Sequence, residues 1–493
     1  MNRYLYGFAA AVLTLALPST FAWAQTPDTQ QPTQANQPQQ PTQPVMPDKP
    51  VTGNDSQTAN EGSDADVIPA VTTSDAQNPP LGGSLSISPF SSSTEYSYIL
   101  PQLIFFNTVN TNGGYAQTSS NGELVDTGTV MGGLTLEKVG SSNDLSFNYL
   151  GGRSFSPTGQ IFNSTTQIFG FTDRWSGKRW GGSVSDQLSY TSEPYLGSGS
   201  QGIPGIGVSP GLGSVGGVSL QPSFAPNSTV VVPRTPLLDN SSVVELDYRV
   251  SPRATFSVAG SYLTVHYFGV GLINSNSAVA QAGYTYQLSA RDTIAVVYLF
   301  DAVRFSGASE SINDNGGELS YKRQLGRRFT FEAGGGPDVA LIAQRGLNTQ
   351  SLFTWRANSA LRYHGNLTGL GLAYTHMLTG GAGVFLGSQM DSLTGNVSRQ
   401  LSATWSINVA GSYALNKPIK TLTVAEPNNN YNTLTANLSI SKRIGQSLNF
   451  TANYTAARQT SSESTCIVKS CGTGLIYQSV STGLSWHPRR ILY

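Results

Sequence analysis

The segment LDYRVSPRATFSVAGSY, Leu246–Tyr262, decides the fold, because two runs of alternating polar and apolar residues flank Ser251-Pro252-Arg253. Ahead of that turn Val244, Leu246, Tyr248 and Val250 fall on one side, and Glu245, Asp247 and Arg249 on the other. A period of two belongs to a pleated strand, so the segment reads as an amphipathic strand entering a tight turn.

The pattern recurs from Tyr96 onward. In NTLTANLSISK, Leu434, Ala436, Leu438 and Ile440 oppose Thr433, Thr435, Asn437, Ser439 and Ser441. In LFTWRANSALRY, Phe353, Trp355, Leu361 and Tyr363 oppose Thr354, Arg356, Asn358 and Arg362. Tight links fall at Ser176-Gly177-Lys178, Ser251-Pro252-Arg253, Ser289-Ala290-Arg291, Leu325-Gly326-Arg327, His364-Gly365-Asn366, Ser402-Ala403 and Ile444-Gly445-Gln446. Longer Gly, Ser and Asn-rich links separate them, around 110–124, 152–163, 265–277, 304–315, 338–349, 377–388, 415–429 and 458–473, with the longest at 191–240. Short turns on one side and long loops on the other describe an all-β, closed antiparallel transmembrane barrel, the short turns facing the periplasm. The links delimit about eighteen strands (sixteen to eighteen) of roughly nine to thirteen residues, the length that crosses a bilayer at a tilt. An exposed sheet edge is not tolerated in lipid, so the first strand, near Leu100 to Asn107, is expected to pair with Tyr477 to Trp486. Trp175, Trp180, Tyr248, Tyr286, Tyr321, Tyr363, Trp405 and Trp486 lie beside the tight turns, where rings would sit at headgroup level.

Composition agrees. Charged residues make up 11% of the 493, less than half the usual share, and Lys+Arg 28 balance Asp+Glu 28. No basic field invites nucleic acid. At the N-terminus, Asn2 and Arg3 precede an apolar run from Tyr4 to Leu17, and Ala22-Trp23-Ala24 offers a cleavage site, so residues 1–24 read as an export signal. Residues 25–95 are rich in Pro, Gln and Thr and cannot repay the entropy of ordering; they are expected to form a disordered periplasmic tail, either a spacer or a contact for cell-wall or periplasmic partners. Cys466 and Cys471, four residues apart in an exported chain, suit a small disulfide-closed loop.

With its export signal, polar tail, alternating strands, short turns and a near-terminal aromatic in LSWHPRRILY, the chain resembles Gram-negative outer-membrane barrels of the porin type from about residue 96 to the end. The resemblance implies residence in the outer membrane, in contact with its lipid and lipopolysaccharide, and assembly by the barrel machinery. Pro488-Arg489-Arg490 departs from the family pattern, in which alternation runs unbroken to a C-terminal aromatic.

No catalytic, cofactor or metal site is legible. Gly207-Val208-Ser209-Pro210-Gly211 matches G-x-S-x-G and Gly211-Leu212-Gly213-Ser214-Val215-Gly216 matches G-x-G-x-x-G, but neither has a strand-turn-helix setting. His266, His364, His376 and His487 are scattered, with no converging ligands or nucleophile. The expected lumen carries Ser, Thr, Asn, Gln and Gly with a minority of charges: Glu245, Asp247, Arg249, Glu318, Lys322, Glu332, Arg356 and Arg362. Arg356 and Arg362 are the candidates for tuning passage, or for bracing the wall by pairing with acids on neighbouring strands. Asp186 is anomalous, because the alternation sets it on the lipid face with Val184 and Leu188 unless a bulge shifts the strand. The expected function is passive diffusion of small polar solutes, with residues 191–240 as the constriction. Export of a polymer such as an exopolysaccharide, or a structural or adhesive barrel without an open pore, are the alternatives.

Overall fold

Alternation along each strand leaves both edges of every hairpin unpaired, and the chain satisfies them by continuing the meander until it meets its own beginning. In the computed structural model the residues described are 97–111, 124–156, 164–192, 214–215, 218–219, 235–269, 272–306, 310–344, 348–379, 386–419, 430–461, 475–489 and 491–492. Eighteen long strands follow one another: β1 (Tyr98–Thr111), β2 (Leu124–Val139), β3 (Asn143–Phe155), β4 (Ser164–Ser176), β5 (Trp180–Thr191), β6 (Leu237–Ser251), β7 (Ala254–Tyr267), β8 (Asn274–Gln287) and β9 (Asp292–Ser306). The second half comprises β10 (Glu310–Leu325), β11 (Phe329–Gln344), β12 (Gln350–His364), β13 (Thr368–Thr379), β14 (Ser388–Gln400), β15 (Trp405–Pro418), β16 (Tyr431–Ile444), β17 (Leu448–Ser461) and β18 (Leu475–Trp486). Each pairs antiparallel with the next, and β1 pairs with β18 to close the sheet. This is the expected all-β closed barrel. The signal, the tail to residue 96, Cys466, Cys471 and most of 191–240 lie outside the described residues, as do residues 207–213 of the two chance motifs.

Closure runs from Leu103–Asn110 against Ser479–Trp486, three residues further along β1 than the alternation suggested. After Trp486 the chain leaves the ladder at His487–Arg489, and Ile491 and Leu492 then pair with Ile99 and Tyr98. Pro101, which has no N–H to give, falls in the gap between these two stretches. The proline-arginine break therefore interrupts the final strand without removing its pairing. Two turns that need a left-handed residue have glycine there: Gly326 at φ 74° and Gly445 at φ 67°.

Twelve of the eighteen strands exceed the expected nine to thirteen residues, the set running from 12 to 16. Segments assigned to loops at 304–315 and 338–349 are largely strand, since β10 begins at Glu310 and β11 continues to Gln344. The reason is chemical: SINDNGGEL keeps strict alternation but carries Asn313, Asn315 and Gly317 on its outward face, where large apolar side chains would have marked a strand. A further tight link, Gly140–Ser142, joins β2 to β3.

Following hydrogen-bonded partners once around the wall returns to β1 displaced by about 22 residues, which for eighteen strands corresponds to a tilt of about 40° and a backbone radius of about 18 Å. A wall that wide leaves a lumen which its own side chains do not fill.

Its outer surface is oily: Leu103, Phe105, Val244, Leu246, Leu372, Leu393, Val409, Leu434, Val480 and Leu484 are all exposed. The eight Trp and Tyr residues beside the turns share that outward face. Trp180 packs on Tyr248 with ring centroids 4.6 Å apart, and the Lys442 ammonium lies 4.8 Å from the Trp405 ring, an arrangement suited to a lipid headgroup layer. With apolar groups outside and polar groups inside, the chain is a membrane-spanning barrel of the outer-membrane kind. Asp186 does sit on the outward face, without a bulge, opposite Phe171 and Ser242. Its carboxylate accepts from Ser242 Oγ and from Asn240 Nδ2 at 3.3 Å, so its neighbours on β6 supply the polar partners that lipid does not.

Candidate functional site: the inner wall of the barrel

The inward positions of β9 to β12 carry a charged lattice produced by register alone. Asp301 stands opposite Asp314, Asp338 opposite both Gly316 and Thr354, and Arg356 opposite Gly336. The Arg356 guanidinium donates from Nη2 to both Asp338 oxygens at 2.9 Å and reaches Asp314 Oδ2 at 3.4 Å. All four side chains are buried. Gly316 makes this possible, because a Cβ there would collide with the guanidinium and with Asp338. Asp301 accepts from Ser277 Oγ at 2.5 Å, and its Oδ2 has no hydrogen-bond partner among the described residues. Like charges directly across a ladder repel, so Arg356 is the group that lets the paired acids share one wall.

One turn of the pleat toward the periplasm, Glu318 accepts from Ser320 Oγ and Asn358 Nδ2, both at 2.7 Å. The Asn358 contact crosses the whole width of β11 above Gly334, whose missing side chain leaves the space. Lower still, Arg362 Nη1 donates to Glu332 Oε2 at 3.1 Å, and Lys322 faces Glu332 across the ladder. The inward residues Glu318, Lys322, Glu332, Arg356 and Arg362 are thus brought together on one sector.

Glu245, Asp247 and Arg249 also point inward, but on β6, several strands away. Asp247 accepts from Ser257 Oγ. Glu245 belongs to an inward row that passes through Ser183 and Arg174 to Asp144. Asp144, Arg174, Asp301, Asp314 and Asp338 were not among the residues singled out from sequence. Extending the alternation two positions beyond Glu318, through Gly316 to Asp314, would have found one of them.

Between the two charged sectors the inner wall carries an apolar patch among polar residues such as Ser261, Ser277 and Gln281. Leu263, Val279 and Leu299 pack together on the inward faces of β7, β8 and β9 and are nearly inaccessible. The short hairpin that pairs Ser214–Val215 with Val218–Ser219 has its first strand against β7 and β8. Among the described residues no group of His, Cys, Asp and Glu is arranged to hold a metal ion.

No family model matches the chain, and no curated protein does. Among solved structures it is similar to Pseudomonas aeruginosa OccK2 (OpdF), at 9% identity and a TM-score of 0.43, over 80% of this chain and 98% of that one. It is likewise similar to the outer membrane protein OpdK of the same organism, at 9% identity and a TM-score of 0.41, over 79% and 98% of the two chains. Pseudomonas aeruginosa OpdQ gives 10% identity and a TM-score of 0.41, over 80% and 97%.

Proposed function

We propose that the barrel is a passive diffusion channel for small polar or weakly charged solutes, and that it carries out no chemistry. One observation supports this most: the inward face of a barrel with a backbone radius of about 18 Å is polar, and its charges of both signs are tied to one another in the wall. Paired charges hold a hydrated path open to neutral and zwitterionic solutes without the strong single-sign field of a selective ion filter. Around Arg356 three acids accompany one base, which gives that level a mild preference for cations.

In the same reading residues 191–240 narrow the path. The hairpin at 214–219 lies against the two strands that carry Leu263 and Val279, and an apolar patch on a wetted wall is best explained by chain seated on it. Outside, lipid and lipopolysaccharide would contact the oily belt. The tail at 25–95 would remain on the periplasmic side, free to meet a cell-wall partner.

Single-channel recording on purified protein tests the proposal. A steady open level is expected, and deletion of residues 201–230 should raise conductance by about two-fold or more, as removal of a constriction does. Absence of conductance in both proteins would overturn the diffusion reading.

A further inference from the structure

Most seams are continuous ladders, and the β10–β11 ladder skips two pairs between Gly316 and Leu319, but the wall between β12 and β13 is interrupted at its outer end. Its ladder runs from His364 opposite Gly369 to Ala357 opposite His376 and stops. Continued in register, Met377, Leu378 and Thr379 would face Arg356, Trp355 and Thr354. Instead the ladder partners of these three residues of β13 are Met390, Gln389 and Ser388 of β14, and those of Arg356, Trp355 and Thr354 are Gly336, Pro337 and Asp338 of β11.

The side chains show where β13 goes. Alternation places Leu378 on the outer face with Leu370, Leu372 and Tyr374, yet it is 0% exposed and packs with Val303, Ile312, Ala340 and Ile342, which face inward. At this height β13 rolls into the lumen. Across the seam, Gln389, from an outward position, donates to Thr354 Oγ1, an inward one, at 3.1 Å. Inside and outside of the barrel therefore meet here. On the inner side is the apolar cluster completed by Leu386 and Ile419; on the outer side Phe353 and Trp355 are 74% and 49% exposed.

Interrupted rungs facing hydrocarbon are costly unless polar groups stand nearby, and a polar group does hold this seam. His376 stacks on Trp355, with centroids 3.8 Å apart and planes 10° apart. One ring nitrogen is 2.6 Å from Asp391 Oδ1 and the other 3.0 Å from Gln389 Nε2, and Tyr374 OH also donates to Asp391 at 3.0 Å. The Trp355 stack and the Gln389–Thr354 bond cross the gap through side chains alone, and the contacts of His376 and Tyr374 with Gln389 and Asp391 tie the end of β13 to β14.

We infer that the β12–β13 seam is a lateral port, through which small apolar molecules pass between the apolar patch inside the barrel and the outer leaflet, with His376, Gln389 and Trp355 as its latch. The route has its own opening in the outer leaflet and meets the aqueous one only at the inner patch. Side-chain contacts exchange far more readily than a backbone ladder, so the seam opens without unravelling the sheet. The occupant is defined by the lining: an aromatic or aliphatic compound with few hydrogen-bonding groups.

The test uses the full chain, with Cys466→Ser and Cys471→Ser, in the outer membrane of a porin-deficient Gram-negative host. Thr354→Cys and Gln389→Cys are joined by a short reducible thiol crosslinker. Entry of an apolar naphthylamine dye and of a small zwitterionic β-lactam, hydrolysed in the periplasm, are followed in the same cells. Crosslinking is expected to lower dye entry about ten-fold, with recovery on reduction and unchanged β-lactam entry, as for closing a gate away from the aqueous path. His376→Phe, which keeps the stacked ring and removes both hydrogen bonds, is expected to raise dye entry. Dye entry that is indifferent to the crosslink and to His376→Phe would overturn the port. Loss of β-lactam entry alone, before crosslinking, would count against the diffusion channel and leave the port standing.

Discussion

Replacing Arg356 by methionine is expected to destabilise the barrel by about 3–5 kcal/mol, because it removes the guanidinium that two buried carboxylates share. Asp338 loses a two-oxygen contact at 2.9 Å, Asp314 loses its neighbour at 3.4 Å, and Asp301 faces Asp314 with no cation between them. The apolar stem of methionine fills similar space, so the effect reports the charge and not a cavity. Urea unfolding in lipid vesicles, followed by tryptophan fluorescence, measures it. Adding Asp338→Asn should restore part of the loss, and reversal potentials under a salt gradient should move toward the cation potential in the single variant and back in the double. A loss below about 1 kcal/mol would mean that solvent or another group already compensates the acids.

The second large effect belongs to the outer face. Leu438 lies midway along β16, opposite Val409 and Tyr454, both exposed on the oily side. Arginine there places a charge in the hydrocarbon and should cost about 2–4 kcal/mol of folding free energy in a bilayer. The adjacent Ser439 points inward, beside Asn408 and Asn453. Ser439→Arg should therefore change conductance and cost less folding free energy than the outward substitution, since lumen substitutions act on selectivity. The contrast between neighbours one residue apart is the quantitative form of the period-two argument.

These two sites also show what the amino-acid sequence discloses. On β16 the reading from sequence and the structure agree residue by residue, because apolar and polar side chains alternate without exception from Thr433 to Ser441. The strand count and the closure follow from the same signal. Asp314 escaped because it lies in a Gly and Asn-rich stretch whose outward face lacks large apolar residues, and Asp338 because Gly334-Gly335-Gly336-Pro337 ahead of it breaks the apolar alternation, so strand resembled loop. Asp301 escaped for the opposite reason: β9 is apolar on both faces, with Val297, Leu299 and Val303 inward and Val296 and Tyr298 outward, and alternation is invisible there. The interruption between β12 and β13 had no local signal at all. It arises where β13 turns its end onto the side chains of strands two to four places away, which is a matter of tertiary packing.

Oily residues face lipid and polar residues face the lumen around a closed wall. Nitroxide labels placed singly at positions 434 to 441, in protein reconstituted into vesicles, test it most directly through their collision rates with oxygen and with a polar nickel chelate. Oxygen should dominate at Leu434, Ala436, Leu438 and Ile440, and the chelate at Thr435, Asn437, Ser439 and Ser441. The reverse phase, or no alternation, would contradict the account.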